Sequence, residues 1–229
     1  MKSAISVTCQ CGQLITVQST GTKAFKDTQC HSCKAPVWFV APLGNEVGLR
    51  IMNRAWNELQ QEDFTLTIVL SAMAVECELA YFYIKWKAFD FALANNTHFH
   101  DPAKKEEYAE EWRSLRNISR RFDETSKLLT GKNLDSFLFD NSALVKAVEN
   151  EYPTFKNFAS SKEFFRQELF DRRNKIVHRG EIDFQEAEGK MCFALATALF
   201  HIIKAMDLHR IKVADLRVNE AFPPSKRAP

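Results

Sequence analysis

Arg173, Asn174 and His178 carry the side chains of this chain best suited to chemistry. They fall in one short run, Asp171-Arg172-Arg173-Asn174-Lys175-Ile176-Val177-His178-Arg179-Gly180. On a helix, Asn174 and His178 stand one turn apart on the same face, and the neighbouring Arg173 is long enough to swing towards them. An imidazole moves protons near neutrality. A guanidinium grips phosphate oxygens in a bidentate fork and keeps its charge, and an amide beside them can orient imidazole or substrate. The set suits phosphoryl transfer without a metal, above all on RNA, whose 2′-hydroxyl can attack the adjacent phosphate. That reaction wants both a base and an acid, so one histidine is half of a set. A symmetric dimer pairing two copies would complete it. A plainer role is open to the same residues, because cations near a helix C-terminus complement its dipole and cap its carbonyls.

The elements that must position these residues read as helices. Ile51 to Gln61 is a short amphipathic helix, and Phe64 to Ala94 is one long helical pattern rich in Leu, Ala, Met, Phe and Tyr. Steps of three or four put Val69, Met73, Glu76, Ala80 and Tyr83 of that pattern on one face. Glu76 thus lies on an apolar face, where a carboxylate needs a partner or must give up its charge; Glu78 points away and is expected at the surface. His98-Phe99-His100-Asp101 marks a break and reads as a loop. Asp101-Pro102 then opens a helix as an N-cap followed by proline, expected to run to Leu129 and stop at Gly131. Arg113, Arg116, Arg120 and Arg121 lie along its middle. The first three share a face that either pairs with Glu110 and Glu124 or tracks phosphates. A short helix from Asn141 to Tyr152, one from Lys162 to His178 stopped by Gly180, and a last one from Phe184 to Leu208 complete the pattern. The expected organisation is residues 1–48, a helical domain over 49–214, and a loose tail over 215–229.

Arg173-Asn174-Lys175-Ile176-Val177-His178-Arg179-Gly180 near the end of a late helix, with Glu76 on an earlier long helix, resembles the HEPN family. The resemblance covers roughly residues 50 to 210, and its specific part is the Arg-Asn-x-x-x-His motif with Glu76. It implies an all-helical bundle forming a homodimer, with the two motifs meeting in a cleft. Active members of that family are metal-independent endoribonucleases, many acting as toxins or in defence against phage; others are inactive and serve as binding or dimerisation modules. On the active pattern, Arg173 would stabilise the phosphorane, His178 would transfer the proton, and Asn174 and Glu76 would support them. Lys175, Arg179, Arg172 and Arg116 are the candidate RNA-binding cations. The products would be a 2′,3′-cyclic phosphate and a 5′-hydroxyl, with no cofactor for catalysis. A toxin of this kind would have an antitoxin or another protein partner. Arg116-Asn117 is a decoy, since no histidine follows at the right distance.

Six cysteines occur, and four of them form two tight pairs, Cys9/Cys11 and Cys30/Cys33. Ile15 and Val17 alternate with polar residues after the first pair, and Val37 to Val40 follow the second. Two thiolate pairs on hairpin turns suit a closed tetrahedral zinc site, and so short a segment would draw its folding energy from the metal. The pattern resembles a zinc ribbon, with Cys-x-Cys in place of the commoner Cys-x-x-Cys. His31 could replace one cysteine, and iron is the alternative metal. Lys23, Lys26, Lys34 and Trp38 could touch nucleic acid or simply decorate a docking module.

The fold class expected is therefore mainly α, a HEPN-like bundle preceded by a small β zinc ribbon. A formal net charge of +2 over 229 residues leaves no strong field of one sign, so nucleic-acid binding must come from local clustering. Nineteen phenylalanines against seven glycines and seven prolines favour long, bulky elements. No secretory signal opens the sequence, and the apolar run Thr67 to Val75 is cut by Glu76 and Glu78. The expectation is a soluble cytoplasmic protein without membrane contact. A non-catalytic protein- or nucleic-acid-binding module is the alternative to the ribonuclease.

Overall fold

The structure, a computed structural model, describes residues 3–8, 14–19, 28–29, 32, 36–37, 46–95, 101–152 and 162–221. It is mainly helical. The chain divides into two compact units, Met1–Leu43 with Ile211–Pro229, and Gly44–Arg210.

In the first unit β1 (Ser3–Thr8) pairs antiparallel with β2 (Leu14–Ser19), from Ser3 opposite Ser19 to Thr8 opposite Leu14. A shorter pair joins β3 (Thr28–Gln29) to β4 (Pro36–Val37). Isoleucine, valine and threonine recur along β1 and β2, and such β-branched residues favour a pleated backbone. Cys9, Cys11, Cys30 and Cys33 lie outside the described residues, as do His31, Lys23, Lys26, Lys34 and Trp38.

The second unit is built around one helix. α1 (Glu46–Gln60) leads into α2 (Phe64–Asn95), and α3 (Pro102–Ser114) and α4 (Ile118–Thr130) pack back against it. α5 (Leu134–Asp140) and α6 (Ser142–Glu151) follow. α7 (Lys162–Phe165), a π-helical segment (Arg166–Asp171) and α8 (Arg172–Arg179) make one winding run before α9 (Glu186–Ala221). α2 touches α1, α3, α4, the π segment and α8. Packing on so many sides explains why Ile68, Ala72, Val75, Leu79, Phe82 and Trp86 are all buried. It also overturns the surface placement of Glu78, which is 3% exposed: α1 covers that side of α2, and a Cβ on Gly48 would stand 2.9 Å from Glu78 Oε2.

α9 contributes Cys192, Leu195, Ala196, Leu199, Ile203 and Met206 to the same core. It runs as helix to Ala221, past the expected stop at Leu208. By length and composition, α2 and residues Glu186–Ala214 of α9 could each cross a membrane; 56% and 50% of their most apolar windows are buried inside the protein, so both also serve as core helices.

Gly189 allows α9 to approach the start of α2 closely. A Cβ there would stand 2.9 Å from Phe64 Cδ1 and 3.3 Å from its Cα. Gly189→Ala is expected to destabilise the fold by about 1–3 kcal/mol through overpacking, outweighing the ~1 kcal/mol that alanine gains in a helix. A thermal melt checks this; an unchanged or raised midpoint contradicts the close approach.

Candidate active site

α8 is placed by the aromatic packing of the run before it. Phe165, Leu169 and Phe170 are buried. Phe122 of α4 meets the Phe170 ring edge-on at 5.8 Å and lies 6.4 Å from Phe165. Adjacent Leu169 and Phe170 can both turn inward because the segment winds as a π-helix, whose wider turn holds an extra residue. The same turn sets the register of everything after it. Arg172 turns back to Glu168, at 2.8 Å, and to Glu188, while Arg173 turns towards α2. Gly180 ends α8 with φ 69°, its N–H donating to the Ile176 carbonyl at 3.0 Å. A left-handed residue here stops the helix one step after the motif.

Arg173, Asn174, Glu76 and Arg121 come together where α8, α2 and α4 meet. Arg173 Nη1 donates to Asn174 Oδ1 at 2.9 Å. Its Nη2 lies 3.9 Å from Glu76 Oε2, an ion-pair distance beyond hydrogen-bond reach. Arg173 Nε is buried with no hydrogen-bond partner. Glu76 is held instead by Arg121, whose Nη1 donates to Glu76 Oε1 at 3.1 Å. The side chains of Glu76, Arg121 and Arg173 are 24%, 21% and 26% exposed, so the cluster sits at the edge of the bundle, partly in solvent. Glu76 therefore has the partner that its apolar face called for. Two guanidiniums against one carboxylate leave the cluster a net positive charge.

The remaining sequence candidates are distributed around this cluster. His178, Lys175 and Arg179 are exposed on α8. No hydrogen bond or ion pair engages His178 among the described residues. Arg179 Nη1 lies 4.0 Å from Glu181. Arg172 has both Nη groups occupied by carboxylates, so it braces α8 against α9 and offers little to a substrate. Arg116 is exposed in the linker between α3 and α4.

That linker corrects the single helix expected from Asp101 to Leu129. α3 stops at Ser114, and Asn117 caps α4, its Oδ1 accepting from Arg120 N at 2.8 Å. Arg113, Arg116 and Arg120 thus do not form one continuous helical face. Arg113 pairs with Glu106 at 2.7 Å and more loosely with the expected Glu110 at 4.0 Å, whereas Glu124, expected to pair with Arg120, lies 3.4 Å from Lys127. Arg121 was the residue that sequence reasoning passed over. Its signal was available: it is the arginine of the four that falls off the shared face, and Glu76 needed a cation.

Neither described cysteine competes as a nucleophile. Burial pushes the Cys192 thiol up to about 12, and Sγ donates to the Glu168 carbonyl. Burial, with Glu76 and Glu78 close by, raises Cys77 too, and a thiol so shifted carries little thiolate. Among the described residues no group of three or more His, Cys, Asp or Glu side chains could hold a metal ion. His98 and His100 lie outside those residues. No family model, curated protein or solved structure matches this chain.

Proposed function

We propose that this chain is a HEPN-like, metal-independent endoribonuclease acting as a homodimer, in a toxin–antitoxin or phage-defence setting. The observation that carries the reading is the meeting of Arg173, Asn174 and Glu76 at the junction of α8 and α2, with exposed His178 one turn along from Asn174. Arg173 faces the phosphate and stabilises the charge that builds on its oxygens. His178 takes the proton from the 2′-hydroxyl or gives one to the leaving oxygen. Asn174 fixes one edge of the Arg173 fork, and Glu76 steadies the fork from α2. A second copy supplies the other proton-transfer group across a shared cleft, which makes each protomer half of an active site. Lys175 and Arg179 are the exposed cations of α8 for the flanking phosphates.

The test uses protein in excess EDTA, to remove free divalent ions, with a single-stranded RNA and its all-2′-deoxy analogue. The RNA is expected to be cut and the analogue to survive. Equal cleavage of both, or cleavage only after magnesium is added, contradicts the reading. The rival reading is a non-catalytic HEPN-like binding module. It draws on Arg172, whose fork is spent on two carboxylates, and predicts a stoichiometric partner with no cleavage.

A structural zinc held by Cys9, Cys11, Cys30 and Cys33 belongs to the same reading. Its support is that each cysteine pair falls in the segment joining two antiparallel strands, after Thr8 and before Leu14, and after Gln29 and before Pro36. Elemental analysis should find one zinc per chain, lost in Cys30→Ser. Metal-free protein with the same melting curve contradicts a structural ion.

A further inference from the structure

Arg121 has no part in the ribonuclease scheme as drawn above, yet it makes the tightest contact to the site's carboxylate. Three anchors fix it. Nε donates to the Leu115 carbonyl at 2.9 Å, the guanidinium lies 5.3 Å from the centre of the Trp112 ring, and Nη1 donates to Glu76 at 3.1 Å. The Leu115 carbonyl is available because α3 ends there, and a helix end leaves carbonyls without a partner in the next turn. The break between α3 and α4 therefore builds the socket that points Arg121 at Glu76.

The consequence falls on Arg173. Glu76 is close enough to take Arg173 into a bidentate ion pair, the strongest arrangement open to that fork, yet Arg173 Nη2 stays 3.9 Å away. With Nη1 on Asn174 and Nε buried, Nη2 is the fork's donor left without a hydrogen bond. Arg172 is the contrast within the same helix, since its two Nη groups are both consumed by carboxylates. We propose that Arg121 is a positioning residue that occupies the Glu76 carboxylate and so keeps the Arg173 fork open for a phosphodiester. Without Arg121, Glu76 closes on Arg173, neutralises it and shuts out the anion. This deepens the proposed function, and rests on it for the identity of the anion as a nucleic-acid phosphate.

The experiment reads phosphate binding apart from cleavage. A short fluorescent all-2′-deoxy oligonucleotide, which has no 2′-hydroxyl to react, is titrated with the full chain at low salt, and each variant is checked for folding by circular dichroism. Arg173→Ala and Arg121→Gln are each expected to weaken binding ~10-fold, the scale of one charge-assisted contact. Adding Glu76→Gln to Arg121→Gln restores most of the loss, and Arg121→Gln adds nothing in the Arg173→Ala background. Arg121→Lys, which keeps a cation for Glu76, binds between wild type and Arg121→Gln and serves if the glutamine variant fails to fold. Lys190→Gln, which removes a surface charge paired with Glu186, changes binding less than ~2-fold and controls for net charge. Arg121→Gln binding like wild type, a loss that Glu76→Gln does not repair, or binding that ignores Arg173 overturns the proposal. RNA cleavage by the wild type stands apart: the full binding pattern without cleavage sinks the enzyme reading and leaves the role of Arg121 in place. Cleavage with Arg121→Gln unimpaired does the reverse.

Discussion

His178→Ala should lower RNA cleavage by ~10²–10⁴-fold, the range for removing a general acid or base, while the fold stays intact. The two halves of that expectation have separate causes. His178 is exposed, in the last turn of α8, and no residue in α8 is buried. Truncating it removes no packing, and the favourable placement of a cation at a helix C-terminus is worth at most about 1 kcal/mol. Any large loss of activity must then come from proton transfer. Arg173→Ala should also cut the rate, by ~10²–10³-fold through lost charge stabilisation. It differs in disturbing the cluster with Asn174 and Glu76, so its activity loss is less cleanly separated from local structure. Steady-state rates on one RNA, with thermal melts of the same preparations, check both. Cleavage by His178→Ala at the wild-type rate removes the histidine from the mechanism.

Asp207→Ala should be the most damaging single change to stability, at about 3–5 kcal/mol. Asp207 is fully buried in α9, and its Oδ1 accepts from Trp86 Nε1 at 2.6 Å and from Lys85 Nζ at 3.1 Å. Removing the carboxylate strands a largely buried ammonium and an indole N–H together. Burial already holds Lys85 below the usual lysine value, with Asp207 pulling the other way. Without Asp207 the lysine falls further. A lysine depressed in the folded state binds fewer protons there than when unfolded, so stability rises with pH. The variant should therefore recover part of its loss as pH climbs towards the unfolded value near ~10.4. Denaturant melts across pH 6 to 10 test this, and a loss that does not shrink with pH assigns the damage to something other than Lys85.

The parts of this fold that were legible in the sequence are those written in local chemistry. Asp101-Pro102 announced a helix start, and Asp101 Oδ1 accepts from Ala103 N at 2.9 Å. Gly131 and Gly180 announced helix ends, and both adopt positive φ. The long pattern from Phe64 to Ala94 matches α2 to within a residue. What was lost was lost for tertiary reasons. Glu78 was assigned outward by helical spacing, but α2 is packed on several sides. The π turn at Arg166–Asp171 goes with the burial of adjacent Leu169 and Phe170 and with the packing of Phe165 and Phe170 on Phe122, a tertiary arrangement rather than a residue preference. The break at Leu115–Asn117 carries a cap signal in Asn117, whose Oδ1 accepts from Arg120 N, but the residue alone does not say that the preceding helix has ended.

The site itself divides the same way. Residue types and spacing marked Arg173, Asn174 and His178, and the polar interruption of an apolar face marked Glu76. Arg121 was marked in the sequence only by falling off the face of the other three arginines; the fresh start of α4 at Asn117 is what shows it pointing at Glu76. The four cysteines of the proposed ribbon were equally plain in the sequence, and they lie outside the described residues.

If Arg173 and His178 form half of a metal-independent RNA-cleaving site, the ends left on a cut RNA carry its signature. Wild-type protein is incubated with a defined single-stranded RNA in EDTA, and the fragment masses are measured. The expected result is a 2′,3′-cyclic phosphate on one fragment and a 5′-hydroxyl on the other, the signature of attack by the adjacent 2′-hydroxyl. Fragments ending in a 3′-hydroxyl and a 5′-phosphate, or RNA left whole across a range of sequences, would contradict it.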